Sequence, residues 1–166
     1  MKVIKWLDEN LEEIIMIVLC AIMACIMILQ VIMRYAFRNS LSWSEELTRF
    51  LFIWSAFLSI SFCTRKKLNI QITMLLEALP VRIRYILMII VDVVMVCLFA
   101  YLTPSAISYL QQTIANNQLS TALRLPMAVV YLAPVVGFIL AIIRHLQSIL
   151  FDIRDMKKAI AEEAAK

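Results

Sequence analysis

Residues 14–33 are a run of twenty residues that is apolar at every position except Gln30. At about 1.5 Å of rise per residue, such a run matches a hydrocarbon core of roughly 30 Å. In lipid a segment of this kind satisfies its own peptide groups only as a helix. The rest of the chain has the same character. Of its 166 residues 63% are hydrophobic and 17% charged, and the mean hydropathy is +0.88, outside the usual composition of a soluble domain. One glycine, four prolines and no repeat or low-complexity tract leave a single membrane domain, 1–166, as the simplest organisation.

Three more spans follow. The apolar stretch 50–63 is too short to cross alone, so its helix must begin upstream, near Ser42 or Trp43, giving a second span over 43–63. A third covers 85–106, with Asp92 as its one charge, and a fourth covers 125–147, opened by Pro126 near the first helical turn. Pro104 is expected to bend the third helix, whose polar continuation reaches Asn116 and Asn117 before turning. Ile4, Leu7 and Leu11 lie opposite Lys2, Lys5, Glu9 and Glu12, so residues 1–13 are expected as a short interfacial helix. Residues 152–166 are expected as a helical tail that frays. No small-residue cleavage site follows the first apolar run, so it is expected to be an uncleaved anchor. The predicted fold is an all-α integral membrane protein with four transmembrane helices.

Twelve of the sixteen Lys and Arg residues fall in the arm, in the loop between spans two and three, and in the tail; Arg34, Arg38, Arg49 and Arg124 lie on the other side. The positive-inside rule then places both termini in the cytoplasm. The net charge of +4 reflects this orientation, and no nucleic-acid partner is expected.

Little in the chain suggests catalysis. Cys20, Cys25, Cys63 and Cys97 form no CxxC pair, which excludes a quinone-coupled thiol oxidase and leaves them as small packing residues. Cys20 with Ala24, Ala21 with Cys25, and Ser55, Ser59 and Cys63 repeat at four-residue spacing, a pattern expected to form helix-packing faces in lipid. The single histidine, His145, is expected as a solvated interfacial residue, since a membrane b-type haem takes two. No metal-ligand spacing, nucleophile elbow, phosphate-cradling loop or paired acid and base is present, so the chain is predicted to be neither an enzyme nor a cofactor protein. Asp92, about ten residues from Arg82 and hence roughly 15 Å along the helix, is placed near the bilayer midplane. It is either a functional ionisable group or a hydrogen-bonded aspartate packed against another helix.

The charges heading the second span are the strongest local signal. Glu45 and Glu46 lie four and three residues before Arg49, so one guanidinium can reach either carboxylate and the group is expected to neutralise itself. Trp43, Leu47, Phe50, Trp54 and Phe57 make a bulky stripe along one face, able to meet lipid or a partner.

The order of these motifs resembles a known family. Arg34 and Tyr35, then Trp43, Glu45, Glu46, Arg49 and Trp54, a basic loop, LLEALP at 75–80, and ALRLP leading into YLAPVVGF are similar to the small membrane subunit of TRAP (tripartite ATP-independent periplasmic) transporters. The resemblance runs from about Leu11 to Gln147. Departures occur at Ser59, Asn69, Met127 and Ala128. The resemblance implies sodium-coupled uptake of an organic acid such as a C4-dicarboxylate or sialic acid across the bacterial inner membrane. A periplasmic binding protein captures the ligand, and a large multi-span subunit, where the sodium is expected, carries it by an elevator movement. The small subunit is a scaffold with no cofactor of its own, and Arg34, Trp43, Glu45, Glu46, Arg49 and Trp54 join it to the large partner or hold its first two helices in register. Two alternatives stay open at this stage: a self-sufficient homo-oligomeric transporter or channel using Asp92, and a cofactor-free anchor subunit of a respiratory complex.

Overall fold

The computed structural model describes residues 2–39, 41–66 and 81–164. Four helices account for most of them: α1 (Lys2–Ala36), α2 (Ser42–Arg65), α3 (Val81–Ala115) and α4 (Ala128–Ala164). Each contains a stretch long and apolar enough to cross a membrane, so the chain is an all-α, multi-pass membrane protein. The LLEALP segment at 75–80 and the basic residue Lys67 lie outside the described residues.

Helix ends follow local chemistry. Neither proline nor glycine interrupts residues 2–36, and the helix runs unbroken from the arm into the first span. The expected separate interfacial helix over 1–13 is therefore the opening of α1. α2 begins at Ser42, with Leu41 extended before it. The hydroxyl of Ser44 donates to the Leu41 carbonyl at 2.7 Å, engaging an acceptor just outside the helix. α3 continues through Pro104 to Ala115. At 35 residues it is roughly 50 Å long, well beyond the hydrocarbon thickness. α4 begins two residues after Pro126 and continues through Pro134 into the segment expected as a separate tail.

The helices form a layer in the spatial order α1, α2, α4, α3, each packed on its neighbours. α1 and α3 stand on opposite edges, which leaves both broad faces apolar and exposed. The core lies along α4, where Val130, Ala133 and Ala141 are buried. Phe138 of α4 meets Phe57 of α2 edge-on, centroids 5.5 Å apart, and stacks on Phe99 of α3 at 5.6 Å.

The lone glycine explains how closely α2 and α4 approach. A Cβ placed on Gly137 would lie 2.7 Å from the Phe57 Cβ and 3.0 Å from its carbonyl oxygen. Ala133, Gly137 and Ala141, four residues apart, thus form the small-residue seam of the layer. The seams expected on α1 are placed differently. Cys20, Ala21, Ala24 and Cys25 are exposed, because they lie off the face that α1 packs against its neighbours. Cys97 is also exposed, Cys63 is half-buried, and all four thiols are free.

Candidate functional site

Polar side chains gather at the two ends of the layer. At the end where α1 meets α2, the Gln30 amide donates to Glu45 Oε1 at 2.8 Å. The one polar residue of the first apolar run is therefore a tie between helices. Gln30 is buried and Glu45 exposed.

Glu46 reaches further. Residues 116–127 fold back as a tight hairpin, with Ser120 N donating to Leu125 O and Met127 N to Gln118 O, both at 2.9 Å. Asn117 and Arg124 take left-handed backbone angles, φ 46° and 51°, to close it. At the hairpin tip the Ala122 and Leu123 amides both donate to Glu46 Oε2 at 2.9 Å. Two motifs 76 and 77 residues apart, the glutamate pair and ALRLP, therefore meet in one contact. Paired amides aimed at one carboxylate oxygen make charge-assisted hydrogen bonds, the stronger class.

This arrangement corrects the expected self-neutralisation of Glu45, Glu46 and Arg49. Both carboxylates are engaged elsewhere, and Arg49 is exposed with no ion pair among the described residues. Fixed amides already positioned by a loop hold a carboxylate better than a flexible neighbour on an exposed helix face. Arg34, Arg38 and Arg124 are likewise exposed. Trp43 is half-buried at the start of α2. The aromatic stripe below it turns toward α4 of the same chain: Phe50 is buried, and the Trp54 indole N–H donates to the Val129 carbonyl at 3.2 Å.

At the opposite end, consecutive residues of α4 tie in every other helix. Arg144 points one way: its Nε and Nη2 both lie 2.9 Å from Glu12 Oε1 of α1, and Ser61 of α2 donates to the same oxygen at 3.0 Å. His145 points the other way, with Nδ1 2.8 Å from Asp92 Oδ1 of α3 and Nε2 3.1 Å from Thr64 Oγ1 of α2. The expected solvated histidine is 1% exposed.

Thr64 Oγ1 also lies 2.9 Å from the Ile60 carbonyl, and this gives the group a simple proton logic. With a neutral ring, Nδ1–H donates to Asp92 and the threonine hydroxyl donates to Nε2. With an imidazolium, both ring N–H groups donate and the hydroxyl turns to Ile60. Either state leaves each ring nitrogen paired. Asp92 therefore lies level with the last turn of α2, where Thr64 sits, rather than midway along the layer. Asp152, expected in the solvated tail, is 1% exposed, two turns beyond His145 on the same face of α4.

The sequence pattern missed this end because its partners are 49 to 132 residues apart. The available signal was polar and charged groups at the ends of three apolar runs, Glu12, Thr64, Arg144 and His145, with Asp92 the one charge inside the third span. Among the described residues no group of three or more His, Cys, Asp or Glu is placed to hold a metal ion.

Comparison with known proteins agrees with these motifs. The family model for the DctQ component of tripartite ATP-independent periplasmic transporters matches residues 23–155. A Haemophilus influenzae protein named as a TRAP transporter small permease is 31% identical over 147 residues, covering 86% of this chain and 89% of its own length. The ectoine TRAP transporter small permease of Halomonas elongata is 28% identical over 86% of this chain and 74% of its own. The isethionate TRAP transporter permease DctMQ of Oleidesulfovibrio alaskensis is 29% identical over 92% of this chain, which spans only 25% of that longer protein. These relatives are permease subunits, transporters and not enzymes.

Proposed function

Since the chain belongs to the DctQ family of TRAP transporter small permease subunits, we propose that it braces a large elevator-type membrane subunit during sodium-coupled, binding-protein-dependent uptake of an organic acid. The observation that carries this reading is the layer itself. Its helices pack in series, its buried polar groups are spent on ties between its own helices, and it leaves large apolar surfaces exposed to lipid or protein. Such a plank resists tilt and offers a flank to a moving partner. The homo-oligomeric transporter and the respiratory anchor do not account for the family match.

The large partner is inferred from the Oleidesulfovibrio permease, of which this chain matches only one part. Sodium is assigned to that partner. Transport sites of this kind use broken helices whose unwound carbonyls coordinate the ion, whereas α1 to α4 are continuous. The relatives' names mention isethionate, ectoine and sialic acid, so the choice of ligand belongs to the large subunit and the binding protein. Within the interface, Glu45, Glu46 and Trp54 brace this chain internally, while Arg34, Trp43 and Arg49 are left to meet the partner. The inner membrane, with both termini cytoplasmic, is the setting the basic residues favour.

The test is co-purification in mild detergent followed by sodium-gradient-driven uptake in proteoliposomes. A large multi-span subunit should be recovered in fixed ratio. Arg49→Ala with Trp43→Ala should lower that ratio and uptake together. Recovery of this chain alone, or an unchanged ratio in the double variant, overturns the reading.

A further inference from the structure

The outward side of α3 changes character halfway along the helix. From Ile83 through Ile90 to Val94 its exposed residues are aliphatic, as lipid requires. Beyond them Tyr101, Ser105, Ser108 and Gln112, spaced i, i+4, i+7 and i+11, form one exposed polar stripe. Tyr101 is 78% exposed, and it lies at mid-depth. Asp92, nine residues before it, pairs with His145 at the end of α4's apolar run. Tyr109, eight residues after it, meets Tyr131 near the start of α4, ring centroids 4.8 Å apart. Each interval is about 13 Å of helix, farther than a tyrosine side chain extends, so the phenol hydroxyl reaches neither headgroup region. Ser105 and Ser108 fall inside the same interval as Tyr109 and share the hydrocarbon.

These groups are unpaired within the chain. Thr103 and Thr113 of the same helix return their hydroxyls to the Phe99 and Tyr109 carbonyls, at 2.6 and 2.9 Å. Among the described residues Tyr101, Ser105 and Ser108 make no side-chain hydrogen bond. Pro104, also exposed, has no N–H to offer the Ala100 carbonyl four residues back. Hydrocarbon satisfies neither the hydroxyls nor that carbonyl. On the opposite edge, the exposed residues of α1 from Ile14 to Ile32 include no hydroxyl, amide or charge. Of the two edge helices, only α3 therefore carries polar groups that lipid leaves unmet.

We propose that the stripe of Tyr101, Ser105 and Ser108 is the docking site, within the bilayer, for one transmembrane helix of the large subunit, a helix bearing a hydroxyl or carboxamide side chain level with Tyr101. Such a side chain both donates and accepts. It can give a hydrogen to the Ala100 carbonyl and take one from Tyr101 or Ser105, whereas an ionised carboxylate only accepts, an ammonium only donates, and either is costly at this depth. The two serines are small, so the incoming helix approaches closely along the outer half of α3. A twofold pair of copies of this chain would set like groups against like at each level, leaving the freed carbonyl facing its own counterpart. The inference rests on the transport reading for the large subunit itself, and adds a contact at mid-membrane to those of Arg34, Trp43 and Arg49 at the outer end.

The test is photo-crosslinking in native membranes, with p-benzoylphenylalanine at position 101 of the tagged full chain, then purification in mild detergent and mass spectrometry. Position 28, 60% exposed on α1, is the control. Position 101 should give an adduct with a large multi-span polypeptide, and position 28 an adduct with lipid alone. In parallel, Tyr101→Phe with Ser105→Ala and Ser108→Ala removes the hydroxyls and keeps the shape. Retention of the large subunit on dilution should weaken about threefold for each hydroxyl lost. Thermal unfolding of this chain should not change, since those groups bond to nothing inside it. Lipid adducts alone at position 101, an adduct between two copies of this chain, or undiminished retention in the triple variant overturns the docking site while the large subunit still co-purifies. If the large subunit does not co-purify with the unaltered chain, the transport reading fails and the docking site falls with it.

Discussion

His145 Nδ1 lies 2.8 Å from Asp92 Oδ1, joining the end of α4's apolar run to α3 beside Phe99, whose ring centroid is 5.9 Å from the imidazole. Arg144, the preceding residue, holds Glu12 on the other side of the same helix. One dipeptide therefore gathers all four helices, since Ser61 and Thr64 bring in α2. In lipid, where apolar surfaces gain little by meeting one another, such contacts and close packing decide which helices associate.

The His145 and Asp92 contact should show coupling in a double-mutant cycle. Asp92→Ala and His145→Ala should each destabilise the chain, and the pair should cost less than their sum by about 0.6–1.7 kcal/mol, the range for hydrogen bonds between membrane helices. Unfolding in detergent followed by circular dichroism measures it. Asp92→Asn, which keeps an acceptor for Nδ1–H, should retain most of the stability and leave the proposed sodium-coupled uptake intact.

Removing one partner of the buried Glu12 and Arg144 pair should be more damaging than removing both. Glu12→Ala removes the carboxylate that faces an Arg144 side chain only 12% exposed and should lower stability markedly, whereas Glu12→Met with Arg144→Met should be closer to neutral. Thermal midpoints of the three variants in one detergent provide the comparison.

Glu46→Ala leaves the Ala122 and Leu123 amides without their acceptor. Loosening of the 116–127 hairpin is expected, visible as faster hydrogen exchange at those two amides with α4 unchanged. Glu46→Gln, which keeps an uncharged acceptor, should fall between.

Gly137→Ala should destabilise by about 1–3 kcal/mol through overpacking. Phe57→Ala should not rescue it, because the added methyl also meets the Phe57 carbonyl oxygen at 3.0 Å. Full rescue in the double variant, read from thermal unfolding, would show that the helices shift apart more easily than their packing indicates.

Much of the fold was legible because lipid imposes one-dimensional rules. Residues 14–33 had to be a span, Ser42 or Trp43 had to open the second helix, and Pro126 marked the start of the fourth, since length, hydropathy and proline chemistry act locally. The arm was misread as a separate helix because amphipathic spacing does not reveal whether a helix stops; with no glycine or proline before Ala36, this one does not. The glutamates of the second span were conspicuous, yet their partners were misassigned, because helical spacing offers Arg49 as the nearest cation while the folded loop brings two amides closer.

The sequence by itself determined the class of the protein, its four spans and, through the motifs from Arg34 to YLAPVVGF, its family. Only the tertiary structure decided what those residues touch. His145 is buried because α2, α3 and α4 close around it, Gly137 matters because Phe57 arrives there, and Glu12 leaves the surface because Arg144 meets it 132 residues later. The physical reason is that hydropathy and periodicity are properties of neighbours along the chain. Hydrogen-bond partners and helix seams depend on distances that exist only after the helices have packed.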